Sequence, residues 1–126
     1  MKIQALSLKD GYKIGHPEQF NEEAVLSFNN WTARKSRNSD IKATVHFGLQ
    51  AFIKEWLIDH FNLTFFNLPK EEAINKYMRR VRNLGNSSLT SEHIEKLWDL
   101  QYLPLHIMSL PEGAKVNIGI PSYVCF

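Results

Sequence analysis

The chain has 126 residues, 44% of them hydrophobic and 22% charged, with a formal net charge of +2. A chain of this size and composition forms one modest hydrophobic core, which argues against the disordered and fibrous classes. The small net charge supplies no global field for nucleic acid or an anionic membrane, so any anion site has to be local.

No apolar run approaches the roughly 20 residues that cross a bilayer, and no basic segment leads into an apolar stretch and a cleavage site. The expectation is a cytoplasmic protein with neither membrane nor nucleic-acid partners. Cys125 is the single cysteine and has no internal disulfide partner, in keeping with a reducing compartment.

The first informative stretch is Leu8-Lys9-Asp10-Gly11-Tyr12-Lys13-Ile14-Gly15-His16, which sets a carboxylate, a phenol, two amines and an imidazole around two glycines. By itself such a run reads as a turn whose polar groups bond their own backbone. Ala24, Val25, Leu26, Phe28 and Trp31 then form a mostly apolar run with partial alternation. That predicts a strand over 24–31, buried on at least one face, with Arg34 just past its end.

Val45, Leu49, Phe52, Ile53, Trp56 and Leu57 recur at three- and four-residue steps, which predicts a helix over 44–61 capped by Thr44. Gly48 inside such a helix costs about 1 kcal/mol relative to Ala, so its presence points to close approach by another backbone or a ligand.

A second helix is predicted to begin near Pro69, with Glu71 and Glu72 set against its N-terminal dipole and Leu84-Gly85 as its stop. Its buried face is Ala73, Ile74, Tyr77, Met78 and Val81. Arg79, Arg80 and Arg82 read as a solvated face suited to the helix C-terminus, since no aromatic platform interleaves with them for nucleic-acid stacking.

A third helix follows from Ser91 to about Leu100, capped by Thr90 or Ser91, with Ile94, Leu97 and Trp98 inward. After Pro104, the alternation of Leu105, Ile107 and Ser109 and then of Val116, Ile118 and Ile120 predicts two strands joined by a turn at Pro111-Glu112-Gly113. The sum is an α+β domain over residues 1–126, with about three helices packed on a small sheet. The apolar end, Ile120 to Phe126, implies an incomplete sheet and a truncated fold.

Four blocks stand in order along this chain: the run from Leu8 to His16, Asn30-Trp31-Thr32-Ala33-Arg34-Lys35-Ser36-Arg37, Val45-His46-Phe47-Gly48-Leu49-Gln50, and Leu103-Pro104-Leu105 leading into Leu110-Pro111-Glu112-Gly113. Together they resemble the N-terminal region of the nicotinamide phosphoribosyltransferases, over about Leu8 to Pro121. The resemblance implies the front portion of a type II phosphoribosyltransferase, an NAD-salvage enzyme several-fold longer than this chain. That enzyme joins nicotinamide and phosphoribosyl pyrophosphate into nicotinamide mononucleotide and pyrophosphate. It also implies a homodimer with shared active sites, magnesium that accompanies phosphoribosyl pyrophosphate in the complete enzyme, and no cofactor bound by this chain. Alone, the 126-residue chain is expected to be inactive.

By the same resemblance, Tyr12 stacks on the nicotinamide ring in the partner subunit's site, a role that a phenol face fills for a pyridine or pyridinium. Asp10 lies near the carboxamide, where a carboxylate accepts an amide N–H and repels nicotinate. Arg34 contacts the phosphates, a task suited to a forked guanidinium. Lys35 and Arg37 read equally well as added charge or as solvated surface.

No residue of the chain is expected to be catalytic, because the family's main catalytic histidine falls outside it. His16, His46, His60, His93 and His106 include no pair at the four-residue spacing of zinc-binding helices, so no metal site is expected. Gly11 and Gly15 depart from the family pattern and loosen the first motif. Three rival readings remain from the sequence: a non-catalytic binding or regulatory module with the same fold, a fragment of a nicotinate phosphoribosyltransferase, and an assembly piece that completes an enzyme supplied on another chain.

Overall fold

The computed structural model describes residues 2–21, 23–85 and 88–126. They divide into two units, Met1–Glu22 with Phe52–Pro104, and Glu23–Ala51 with Leu105–Phe126. Helices and two small antiparallel sheets make the fold α+β.

The helical run begins as α1 (Leu49–Phe52) and continues in wider π-helical turns over Ile53–His60 and Asn62–Phe66. It is followed by α2 (Lys70–Asn83) and α3 (Glu92–Leu100), and the chain before it forms 3₁₀ turns at Ala5–Ser7 and Gly11–Gln19. In the first unit, Phe65, Phe66, Ala73, Tyr77, Met78, Val81 and Ile94 are buried together with Ile14. Non-directional burial of this apolar surface is what holds the unit together.

Buried polar atoms then fix the register. Gln4 Nε2 donates to the Ala73 carbonyl at 2.8 Å, and the Ala5 N–H donates to Thr64 Oγ1 at 3.0 Å. The N-terminal segment is thereby tied to α2 and to the π-helical turns.

The second unit carries β1 (Asn29–Thr32), β2 (Ala43–Val45), β3 (Ile107–Ser109), β4 (Lys115–Asn117) and β5 (Pro121–Cys125). Their pairing gives a three-stranded sheet in the order β1-β5-β3 and a separate ribbon of β2 and β4, all antiparallel. Tyr123 of β5 pairs with Trp31 on one side and Ser109 on the other. The Trp31 and Tyr123 rings stack with centroids 6.1 Å apart.

Several expectations hold where the signal is local. α2 follows Pro69, buries Ala73, Tyr77, Met78 and Val81, and ends before Gly85, which takes φ +89°. Arg79, Arg80 and Arg82 are exposed. α3 begins after Ser91 and buries Ile94, but the Ser91 hydroxyl bonds Glu95 Oε1 at 2.5 Å instead of capping a backbone N–H.

The first strand is shorter than predicted, because β5 offers partners only from Asn29 onward; residues 24–28 are not strand, and Val25 is 97% exposed. The first helix starts at Leu49 and not near Thr44, which pairs with Val116 in the β2–β4 ribbon. Its apolar stripe is only partly covered, with Phe52 and Trp56 exposed. In turns closed by i→i+5 bonds, successive side chains do not return to one face at three- and four-residue steps.

Pro111-Glu112-Gly113 is a turn, yet it joins strands of different sheets, since β3 pairs with β5 and β4 with β2. The apolar end is the central strand of its sheet and not an open edge. Among the described residues no helix is long and apolar enough to cross a membrane.

Candidate functional site

Asp10 and Tyr12 belong to the first unit. Asp10 has extended backbone, its side chain caps nothing, and its carbonyl accepts the Lys13 N–H at 3.0 Å to start the 3₁₀ turns over Gly11–Gln19. Within those turns Ile14 points into the core while Tyr12 remains 68% exposed. Tyr12 thus keeps much of its ring accessible two residues before a side chain buried in the core.

The Tyr12 ring already receives a cation. Lys13 Nζ lies 4.9 Å from its centroid, and the His16 imidazole meets it edge-on at 5.7 Å and 62°. The same electron-rich face that attracts an ammonium also attracts a pyridinium. Gly11 and Gly15 add no special backbone geometry, since neither takes a positive φ.

Arg34 belongs to the second unit, in the irregular segment that follows β1. Both ends of that segment are clamped to the turn before β5: the Ala33 carbonyl accepts the Gly119 N–H at 2.9 Å and the Lys42 carbonyl accepts the Ile118 N–H at 3.0 Å. Between these clamps Arg34, Lys35 and Arg37 are exposed, and none of the ion pairs found among the described residues engages them. Three cations with no carboxylate ion pair among the described residues, on a tethered loop, concentrate positive charge locally on a nearly neutral protein.

Two further arrangements escape a reading of the sequence. Lys9 Nζ donates to the Tyr77 hydroxyl at 2.9 Å, joining the Asp10–Tyr12 segment to the middle of α2. Glu112 accepts the backbone N–H groups of Gly48 and Gln50 at 2.6 and 3.1 Å, so the Pro111-Glu112-Gly113 turn caps the helical run. The Gln50 and Gly48 bonds hold the Glu112 carboxyl below its ordinary range. Gly48 lies ahead of the helix at φ +90°, and nothing stands within 4 Å of the position a Cβ would take. Its requirement is therefore conformational, and no other backbone among the described residues makes the expected close approach.

An open cleft of about 430 Å³ in the first unit is lined by Lys2, Ile3, Leu8, Glu55, Trp56 and His60, and neither Asp10 nor Tyr12 contributes to it. Among the described residues no group of three or more His, Cys, Asp or Glu side chains is placed to hold a metal ion.

No protein-family model matches the chain. It is 40% identical, over 126 aligned positions, to the nicotinamide phosphoribosyltransferase of Acinetobacter baylyi; the match takes in 95% of this chain and 25% of that protein. The chain spans about a quarter of the length of the curated relative it matches. Over that quarter, the chain is similar to a nicotinamide phosphoribosyltransferase.

Proposed function

We propose that this chain is the N-terminal portion of a cytoplasmic, homodimeric NAD-salvage phosphoribosyltransferase, and that it serves substrate binding without supplying a catalytic group. In the reaction, the pyridine nitrogen of nicotinamide forms a bond to C1 of the phosphoribosyl group while the C1–oxygen bond to pyrophosphate breaks, giving nicotinamide mononucleotide and pyrophosphate. Tyr12 stacks on the pyridine ring in the partner subunit's site and tolerates its change from neutral ring to cation. Asp10 accepts a hydrogen bond from the carboxamide N–H, which favours the amide over the acid. Arg34 forks onto phosphate oxygens.

Magnesium enters with the pyrophosphate-bearing substrate and is held by no residue of this chain. The observation that carries the reading is the sequence match, 40% identity over nearly the whole chain. The 68% exposed Tyr12 ring and the Arg34 loop, whose cations join no ion pair among the described residues, support it from the side of geometry.

The test has two arms. Incubated with nicotinamide, phosphoribosyl pyrophosphate and magnesium, the 126-residue chain alone forms no mononucleotide. Grafted in place of the corresponding quarter of the Acinetobacter baylyi relative, it restores turnover that Arg34→Ala then weakens through the KM for phosphoribosyl pyrophosphate. Sustained turnover by the isolated chain, or a folded graft that binds neither substrate, would overturn the proposal.

A further inference from the structure

Tyr77 lies in the middle of α2 with its side chain 1% exposed, packed among Ile14, Phe65, Phe66 and Met78. A buried phenol needs a partner for its hydroxyl, because an unmet polar group in a core carries the full cost of its desolvation. The partner is Lys9, whose ammonium donates to the Tyr77 oxygen at 2.9 Å and sits 5.2 Å from the ring centroid. Lys9 directly precedes Asp10 and stands three residues before Tyr12.

Between the buried Ser7 and the buried Ile14 the segment has few other side-chain holds. Leu8 is half exposed, Gly11 has no side chain, and Asp10 makes no side-chain cap. On the far side, Ile14 is buried in the core. The exposed ring is therefore suspended between two anchors, one an apolar side chain and the other an ion–phenol bond. An aromatic contact binds well only when its position is fixed beforehand, since ordering it on binding subtracts from the affinity.

We infer that Tyr77, acting through Lys9, is a positioning residue for the turn that presents Asp10 and Tyr12. The inference deepens the function proposed above and rests on it for the identity of the ligand, but the positioning itself is measurable without a ligand. Tyr77→Phe removes one oxygen and keeps the ring that fills the core. Lys9→Met removes the ammonium from an exposed residue, and Lys9→Arg keeps a donor there.

The experiment is backbone relaxation by NMR on the 126-residue chain. In both Tyr77→Phe and Lys9→Met, the order parameters of Gly11, Tyr12 and Lys13 fall from about 0.85 toward 0.6 or below, while those of Val81 and Ile94 do not move. Lys9→Arg retains the native values, and the double variant Lys9→Met, Tyr77→Phe shows no larger drop than either single one. Unchanged order parameters at Tyr12 in either single variant would overturn the inference, and so would a uniform loss across Val81 and Ile94. Nicotinamide titration of the graft, with and without Tyr12→Ala, separates the two claims: a Tyr12 that loses order in these variants yet makes no difference to nicotinamide affinity upholds the positioning and refutes the proposed ligand role.

Discussion

Glu112 Oε2 accepts the backbone N–H of Gly48 at 2.6 Å and its Oε1 accepts that of Gln50 at 3.1 Å, across 64 and 62 residues of sequence. A carboxylate at the first turn of a helix satisfies donors that the helix itself leaves unpaired and complements its dipole. Glu112→Gln keeps the shape and removes the charge, and it lowers the melting temperature at neutral pH. The backbone donors of Gln50 and Gly48 depress the Glu112 carboxyl below 4.5, so this stabilisation is present above that pH and is lost as pH falls through the depressed value. Melting curves of the two proteins therefore converge in acid. A gap that persists unchanged well below pH 4.5 would contradict the assignment.

Gly48→Ala discriminates between two accounts of one glycine by the sign of its effect. In a helix interior the change stabilises by about 1 kcal/mol. At the observed φ of +90° it forces a side chain into left-handed backbone and destabilises by about 1–2 kcal/mol. Chemical denaturation reads the difference directly, and the structure predicts destabilisation.

His93 on α3 is partly buried, with its Nε2 lacking a partner. Burial first and the nearby Lys9 charge second push its pKa below the ordinary 6.5, partly offset by a backbone hydrogen bond at Thr90. A histidine whose folded pKa is depressed contributes stability above the unfolded value, and loses it as pH falls through the folded one. Stability accordingly declines as the solution is taken below pH 6.5. Lys9→Met raises the His93 pKa toward 6.5 by removing the second cause, which an NMR titration of its ring proton measures; a pKa that stays put would show that Lys9 is not held nearby.

How far the fold is legible in the sequence follows from where each stabilising partner sits. α2 is legible because Pro69, the acidic first turn, the spacing of Ala73, Tyr77, Met78 and Val81, and Gly85 all lie within one short segment and agree. The start of the first helical run is not, since its cap arrives from Glu112, and Thr44, the local candidate, is taken by the β2–β4 ribbon. Strand pairing is misread for the same reason: Tyr123 pairs with Trp31 and Ser109 on strands that are not its neighbours in the chain, while the sequence favours a hairpin between neighbours. Phe65 and Phe66 carry no periodic signal, being adjacent in π-helical turns, yet both are buried in the core.

The candidate site is legible as a set of residue types and not as an arrangement. The run from Leu8 to His16 announces its chemistry in sequence, and the Arg34 loop announces its charge. What holds them does not show: Tyr77 reads as one more apolar position on α2, and only its hydroxyl, 2.9 Å from Lys9, gives it a second task.

The most direct test of the central claim, that the exposed Tyr12 ring receives the pyridine, is the nicotinamide KM of the grafted enzyme with Tyr12 and with Tyr12→Ala. Losing a stacked aromatic contact worth about 1.4 kcal/mol corresponds to roughly a tenfold rise in KM, with Tyr12→Phe close to the parent and the KM for phosphoribosyl pyrophosphate unchanged. A Tyr12→Ala graft that is folded and active with the parent's nicotinamide KM would contradict the account.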